Sequence, residues 1–165
     1  MERRHGGLVT LHGCLTALIV LLGVLLIATL AEQRQQRIRR TRCATELREI
    51  ASAFLDYRRQ NGAWPPASNG VSGHPRGMEP YLRDTNWLAG TPVGGSYSWM
   101  VLTTGAPGGA EAAGAIAITA FSPALPLSLS PDDLLRLDAM LDDGDPATGR
   151  FRRGFNGWPV YYVRN

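Results

Sequence analysis

Residues 13–30 read GCLTALIVLLGVLLIATL, a stretch of eighteen positions without one charged side chain. With His12 admitted, the uncharged run extends from Gly6 to Ala31. A helix needs about 20 apolar residues, at about 1.5 Å each, to cross roughly 30 Å of hydrocarbon, and this stretch reaches that length. A buried helix of a soluble protein is rarely apolar on every side over such a distance. We therefore predict a membrane-spanning helix over residues 8–31.

A cleaved secretory signal peptide is the alternative for this segment. Its apolar region should cover only about 7–15 residues and end at a small-x-small cleavage site. The run is longer here, and Ala28-Thr29-Leu30-Ala31 contains no Ala-x-Ala sequence. We therefore favour a helix that the protein retains.

Helical periodicity continues beyond the uncharged stretch. Residues 32–60 are interpreted as the amphipathic, soluble half of the same helix, which is expected from about Leu8 to Gln60 and stops at Asn61-Gly62. Charged residues are expected on its outer side, namely Glu46, Glu49, Asp56 and Arg59. Its packing face is predicted to consist of Ala44 and of Leu47, Ile50, Ala51, Phe54 and Tyr57.

Residues 61–165 are predicted to form a globular head. Strands are expected over 97–103, 115–121 and 158–163, with residues 105–114 as a hairpin connection. A Ser130-Pro131 helix start introduces a short helix, whose buried stripe is Leu134, Leu137 and Leu141, and a weak helical turn is expected near 78–83. The aromatic residues of the strand segments are expected in the core of the sheet: Tyr97, Trp99, Trp158, Tyr161 and Tyr162. The predicted fold class is α+β, a long N-terminal helix packed against a small antiparallel sheet of about three strands.

The basic charge is confined to one end of the chain. Residues 1–42 hold seven arginines against two acids, whereas residues 43–165 hold ten against twelve, and there is no lysine. The net charge of +3 is therefore a local property of the N-terminal region. A general nucleic-acid-binding surface is not indicated, so nucleic acid is not an expected partner.

Residues suited to catalysis are few. The histidines are His5, His12 and His74, and the cysteines are Cys14 and Cys43. These do not combine into a catalytic triad, a Cys-His pair or a His/Cys metal cluster, so we predict no catalytic residues and no enzyme activity. A continuous helix would hold the two cysteines roughly 43 Å apart, too far for a disulfide. Cys43 is interpreted as a membrane-boundary residue.

Three acidic residues follow the short helix, at Asp142, Asp143 and Asp145. This oxygen density suits Ca²⁺, although the spacing is not that of an EF-hand loop. A solvated helix end with an Asp-Gly turn is the alternative interpretation. No cofactor other than Ca²⁺ is expected. Arg150, Arg152 and Arg153 lie nearby and are candidates to pair with these acids, or to contact DNA phosphates.

Three features together resemble the type IV pilin and type II secretion pseudopilin family. Residues 3–11, RRHGGLVTL, are similar to a basic prepilin leader that ends in glycine before an apolar helix. The spacing of apolar residues from Leu47 to Tyr57, followed by Gly62 and Trp64-Pro65, is similar to the end of the pseudopilin helix. A strand cluster after an Asp/Gly-rich loop is the third feature.

The resemblance implies a processing site and a set of partners. Residues 1–7 would be the leader, a prepilin peptidase would cleave after Gly7, and Leu8 would become the methylated mature N-terminus. The family normally has Glu at the fifth mature position, where this chain has His12 at the entry to the membrane helix. That departure favours a minor subunit over a major one. Major pseudopilins hold calcium in a C-terminal loop, which implies the same metal here.

The expected function is therefore that of a minor pseudopilin-like structural subunit of a type II secretion or type IV pilus assembly. It would incorporate into a filament through residues 8–30 and the face at 44–57. The expected partners are inner-membrane lipid, other pseudopilin subunits, the prepilin peptidase and assembly platform proteins. The expected location is the bacterial inner membrane, single-pass, with a periplasmic C-terminal domain.

Two rival functions remain open. The arginines after the span would place the C-terminal domain in the cytoplasm by the positive-inside rule: Arg34, Arg37, Arg39, Arg40 and Arg42. That orientation suits a single-span membrane-anchored sensor or adaptor module that does not polymerise. A membrane-tethered enzyme that uses the acidic loop is the second rival.

Overall fold

The structure is a computed structural model that describes residues 5–68, 73–102, 113–154 and 157–163, with the side chains of residues 5–12 outside the description. Its helices are α1 (His5–Asn61), α2 (Glu79–Leu82) and α3 (Pro131–Leu141). Its strands are β1 (Ser96–Leu102), β2 (Ala113–Thr119), β3 (Phe151–Arg153) and β4 (Pro159–Val163). The chain forms two compact units, Met1–Ile38 and Arg39–Asn165. The α+β prediction is confirmed.

Helix α1 is 57 residues long, slightly longer at both ends than predicted. It ends where Gly62 adopts a φ of 74°, a left-handed conformation that glycine accepts without strain. The amide of Gly62 donates to the carbonyl of Arg58 at 2.8 Å, which satisfies one of the last helical carbonyls. Helix α1 therefore ends at Asn61-Gly62, as the sequence predicts.

The apolar part of α1 is exposed to its surroundings. Each large apolar side chain from Leu15 to Leu30 is 51–69% exposed. The most apolar 18-residue window of this helix has a mean hydropathy of 2.8, and none of it is buried in the protein. Among the described residues, α1 is the one helix that is long and apolar enough to cross a membrane.

The four strands form one antiparallel sheet in the order β1-β2-β4-β3, one strand more than predicted. Trp99 of β1 pairs with Ile116 of β2, and Ile116 pairs in turn with Tyr161 of β4. The additional strand β3 joins the outer edge of β4, where Phe151 pairs with Tyr161. The expected hairpin connection at 105–114 lies largely outside the described residues.

The core of the second unit lies between the sheet and residues 43–54 of α1. The phenyl ring of Phe54 stacks on the indole of Trp99, with ring centroids 3.8 Å apart and planes at 11°. Both side chains are fully buried. The same face of the sheet contributes other buried residues: Tyr97, Ile116, Ile118, Phe151, Tyr161 and Val163. Trp158 and Tyr162, also expected in the core, are half-buried.

Two side chains of α1 lie elsewhere than the sequence predicted. Cys43, expected at the membrane boundary, is fully buried in the core because it lies one turn before Leu47 on the packing face. Glu46, expected on the outer side, is only 4% exposed. Its carboxylate accepts hydrogen bonds from Arg42 at 2.9 Å, Asn86 at 2.8 Å and Tyr97 at 2.8 Å. These three donors replace the water that burial removes.

Helix α3 begins as its sequence predicts. The hydroxyl of Ser130 accepts from the amide of Asp133 at 3.1 Å, and the Asp133 carboxylate accepts from the amide of Ser130 at 3.1 Å, which forms a capping box. Asp133 also accepts from Arg40 of α1 at 3.0 Å, with both side chains under 15% exposed. Leu137 is fully buried and anchors α3 in the core, while Leu134 and Leu141 are partly buried against it.

Candidate functional site

The end of α3 brings three carboxylates together. Asp138 lies in the last turn of the helix, and the amide of Asp142 donates to its backbone carbonyl at 2.6 Å. Asp142 therefore follows Asp138 by one turn on the same side, and Asp143 comes next as the chain leaves the helix. One oxygen from each of the three carboxylates lies within 4.8 Å of the others.

The three carboxylates differ in their access to water. Asp142 and Asp143 are exposed, whereas Asp138 has no exposed surface. Neither carboxylate oxygen of Asp138 makes a hydrogen bond of ordinary geometry within the described part of the chain, although the amide of Gly144 faces the group and opposes the rise of its pKa. Burial with so few donors is unfavourable for a carboxylate, because lost hydration is not fully replaced.

The pKa values of Asp138 and Asp143 are shifted by their surroundings. Burial, followed by repulsion from the Asp143 and Asp142 charges, raises the pKa of Asp138 to about 6. Asp138 and Asp143 face each other as two acceptors, so a hydrogen bond forms between them only when one keeps its proton. The amide of Asp145 and the hydroxyl of Thr148 lower the pKa of Asp143.

The loop after α3 is tied by its own side chains. Asp143 accepts from the amide of Asp145 at 3.0 Å and from the hydroxyl of Thr148 at 2.8 Å. Asp145 accepts from the amide of Ala147 at 3.0 Å. These Asx-type bonds hold the loop in a defined conformation between α3 and β3.

The acidic site differs from the predicted one in a single member. Asp142 and Asp143 lie together as expected, but the third carboxylate of the group is Asp138, and Asp145 is not part of it. Sequence reasoning missed Asp138 because it is charged, although it lies four residues after Leu134 and three before Leu141 and so shares the face of the apolar stripe. The available signal was its spacing of four residues from Asp142, which puts both on one side of a helix.

The neighbouring arginines contact this loop through the backbone. The amide of Arg150 donates to the Asp142 carboxylate. The Arg152 guanidinium donates to the carbonyl of Gly149 at 2.7 Å and lies 5.5 Å from the centre of the Tyr162 ring. The amide of Arg153 donates to the carbonyl of Pro146 at 2.9 Å.

The residues predicted for processing and membrane entry lie in α1. Gly7, Leu8 and His12 fall within the helix, whose backbone begins at His5. Their side chains lie outside the described part of the chain, so their predicted roles stay predictions.

The predicted packing face of α1 lies inside the protein. Leu47, Ile50 and Phe54 have no exposed surface, and Ala51 is 7% exposed. Tyr57 is partly buried, with its ring 5.4 Å from that of Tyr81. These side chains pack against the chain's own core, so they are not available for contacts with a second subunit.

Comparisons with known proteins return no relatives. No family model matches the chain, and neither a curated protein nor a solved structure matches it.

Proposed function

We propose that the chain is a minor pseudopilin-like structural subunit of a type II secretion or type IV pilus assembly. The observation that supports the proposal is that α1 combines an exposed apolar part with a part that packs into a folded core. One 57-residue helix is apolar and exposed over residues 13–30 and is built into an α+β core from Cys43 onward. A subunit that is stored in lipid and then assembled through its helix needs both properties.

The exposed apolar half supplies the assembly surface. Its leucine and isoleucine side chains are exposed on all sides, so each of them contacts lipid when the helix lies in a membrane. Incorporation into a filament must replace those lipid contacts with helix–helix contacts. Since the face at 44–57 is buried in the chain's own core, the proposed subunit contacts of α1 are restricted to its apolar half.

In the proposed subunit, the Arg39–Asn165 unit lies in the periplasm. Five arginines after the span argue for the opposite orientation by the positive-inside rule. Two of the five, however, have structural partners: Arg40 pairs with Asp133 at 3.0 Å, and Arg42 pairs with Glu46 at 2.9 Å. These two arginines therefore have a role in the fold, independent of any role in membrane topology.

The mature N-terminus tests the proposal. In cells that contain a prepilin peptidase, mass spectrometry should find Leu8 as the first residue. In matched cells without the peptidase, residues 1–7 should remain. An uncleaved chain in both strains would contradict the processing step and with it the pseudopilin assignment.

The alternative function is a single-span anchored module that does not polymerise. It is favoured by the burial of the 44–57 face, which removes one of the two expected helix contact regions. A photo-reactive residue at Leu22, which is 56% exposed in the apolar half, separates the two functions. Crosslinks to other subunits in cells would support assembly, and crosslinks to lipid alone would support the anchored module.

A further inference from the structure

We infer that the arginines just beyond the apolar part of α1 bind the headgroups of anionic phospholipids through their phosphate oxygens. The surface consists of three exposed side chains, Arg34, Arg37 and Arg39, which we call the arginine collar. The inference requires α1 to lie in a membrane, as both candidate functions above do. It depends neither on cleavage of the leader nor on filament assembly.

The five arginines that follow the apolar stretch divide into two groups. Arg40 pairs with Asp133 at 3.0 Å and Arg42 pairs with Glu46 at 2.9 Å, so the fold uses these two cations. The three collar arginines are exposed, and the described part of the chain offers them no ion pair or hydrogen bond. Their guanidinium groups are therefore available to a partner outside the chain.

The local charge calls for an anionic partner. Residues 31–42 contain five arginines and one acid, Glu32, and the chain has no lysine. Arginine stays protonated, and its planar guanidinium donates two parallel hydrogen bonds to a single phosphate group. A surface of phosphate groups therefore complements this segment both in charge and in hydrogen bonding.

Helix geometry places the collar at the depth of the lipid headgroups. Arg34 and Arg37 follow Leu30, the last leucine of the apolar part, by four and seven residues. They lie about 6 and about 10 Å beyond it along the helix axis, where the headgroup layer is about 5–7 Å thick. Helical side chains also lean toward the N-terminus, which is the direction of the span. The guanidinium groups therefore lie closer to the phosphates than their own Cα atoms do.

The positions around the helix favour a lipid surface over a protein partner. Arg34 and Arg37 lie one turn apart on the same side of α1, whereas Arg39 lies on the far side. A protein that docks against one side of a helix would contact only part of this set. A leaflet surrounds an inserted helix, so its headgroups reach all three arginines.

The net charge of the headgroup decides which lipids the collar retains. The phosphate of a zwitterionic lipid is offset by its own ammonium group, whereas an anionic lipid keeps its negative charge. Each arginine near an anionic surface strengthens binding by about fivefold. Salt weakens this attraction, because the screening length falls from about 10 Å at about 0.1 M to about 3 Å at about 1 M.

Lipid selectivity of the full chain, reconstituted in phosphatidylcholine vesicles, tests the collar. Electron paramagnetic resonance of spin-labelled lipids measures how strongly the protein retains phosphatidylglycerol relative to phosphatidylcholine. The wild type should prefer phosphatidylglycerol by about fivefold or more in about 0.1 M NaCl, and by less than about twofold in about 1 M NaCl. The collar variant should show less than about twofold preference at either salt concentration; it combines Arg34→Gln, Arg37→Gln and Arg39→Gln.

A second triple variant removes the same charge from exposed positions elsewhere in the Arg39–Asn165 unit, and combines Arg59→Gln, Arg76→Gln and Arg83→Gln. It should keep the lipid preference of the wild type. Because the collar side chains have no described partner within the chain, the collar variant should also keep the wild-type Tm. Loss of preference in the collar variant is then a loss of lipid contacts and not of folding.

Equal retention of the two lipids by the wild type would overturn the inference. An equal loss of preference in both triple variants would overturn it as well, because net charge alone would then be responsible. Inorganic phosphate, added at constant ionic strength, should leave the preference unchanged; its abolition would assign the arginines to a soluble anion instead. A chain that does not insert into the vesicles would overturn the inference together with the span. An uncleaved chain with an intact preference would contradict only the pseudopilin assignment.

Discussion

The hydroxyl of Tyr97 donates a 2.8 Å hydrogen bond to the carboxylate of Glu46, and both side chains are buried. This bond joins the first strand of the sheet to α1 inside the core. Burial raises the pKa of Tyr97, so the phenol remains a donor over the whole physiological range. Arg42 and Asn86 supply the other donors to the same carboxylate.

Removing the Tyr97 hydroxyl should therefore destabilise the Arg39–Asn165 unit. Tyr97→Phe leaves one oxygen of a buried carboxylate without its donor, and we expect a loss of about 1–2 kcal/mol in the free energy of unfolding. Urea unfolding in detergent, followed by tryptophan fluorescence, measures it. Glu49→Gln, at an exposed position of the same helix, should change the stability by less than about 0.5 kcal/mol. Equal effects of the two variants would contradict a role for the buried network.

The ion pair between Arg40 and Asp133 should contribute more to the free energy of unfolding than the exposed pair between Arg136 and Asp132 within α3. Arg40→Met leaves Asp133, whose side chain is 14% exposed, without its cation, and we expect a loss of about 1–3 kcal/mol. Arg136→Met breaks the exposed pair with Asp132 and should cost less than about 0.5 kcal/mol. In a double-mutant cycle, Arg40→Met with Asp133→Asn should be less destabilising than the sum of the two. Strict additivity would show that the pair has no coupling.

The thiol of Cys43 should be unreactive while the protein is folded. Burial, followed by the charge of Glu46, raises its pKa to about 12, so only about 10⁻⁴ of it is thiolate at pH 8. In a Cys14→Ser variant, N-ethylmaleimide should modify the chain only after guanidinium unfolding, as measured by mass. Glu49→Cys in the same background provides the exposed comparison and should react within minutes. Prompt modification of Cys43 in the folded chain would place it outside the core.

Gly114 should tolerate no side chain. A Cβ atom there would collide with Cη2 of the Trp99 indole and lie 2.8 Å from its Cζ2. The indole is held by its stack on Phe54 and by its hydrogen bond to the carbonyl of Pro65. We expect Gly114→Ala to lower the free energy of unfolding by about 1–3 kcal/mol, because the indole cannot move without breaking the stack. Gly23→Ala is the control, since no atom lies within 4 Å of a Cβ at that position. A stable Gly114→Ala variant would show that the Trp99 ring is free to shift.

Local signals determined the parts of the fold that were predicted well. The end of α1 at Asn61-Gly62 and the start of α3 at Ser130-Pro131 depend on the backbone within a few residues, so the sequence carries them directly. Strand β3 was missed because it has three residues, two of them arginine, and its pairing depends on Tyr161. A polar segment of that length has no strand pattern of its own.

The errors at single residues have a common physical cause. Glu46 was assigned to the outer side of α1 because it is charged, but periodicity contains no information about the elements that pack there. Glu46 is buried because Tyr97 and Asn86, 51 and 40 residues away, donate to it. Asp138 was passed over because it is charged as well, although it lies four residues after Leu134 and three before Leu141, on the face of α3 that packs into the core.

The order of the strands has a consequence during synthesis. Strand β4 is the last of the described strands along the chain, yet it lies inside the sheet, hydrogen-bonded to β2 on one edge and β3 on the other. While the ribosome still holds the residues from Pro159 onward, β2 and β3 have no strand between them. Residues 43–54 of α1 then pack against an incomplete sheet. The domain therefore completes its fold only once the residues up to Val163 have left the ribosome, and a premature stop codon before Pro159 leaves an open apolar surface for chaperones or proteases to recognise.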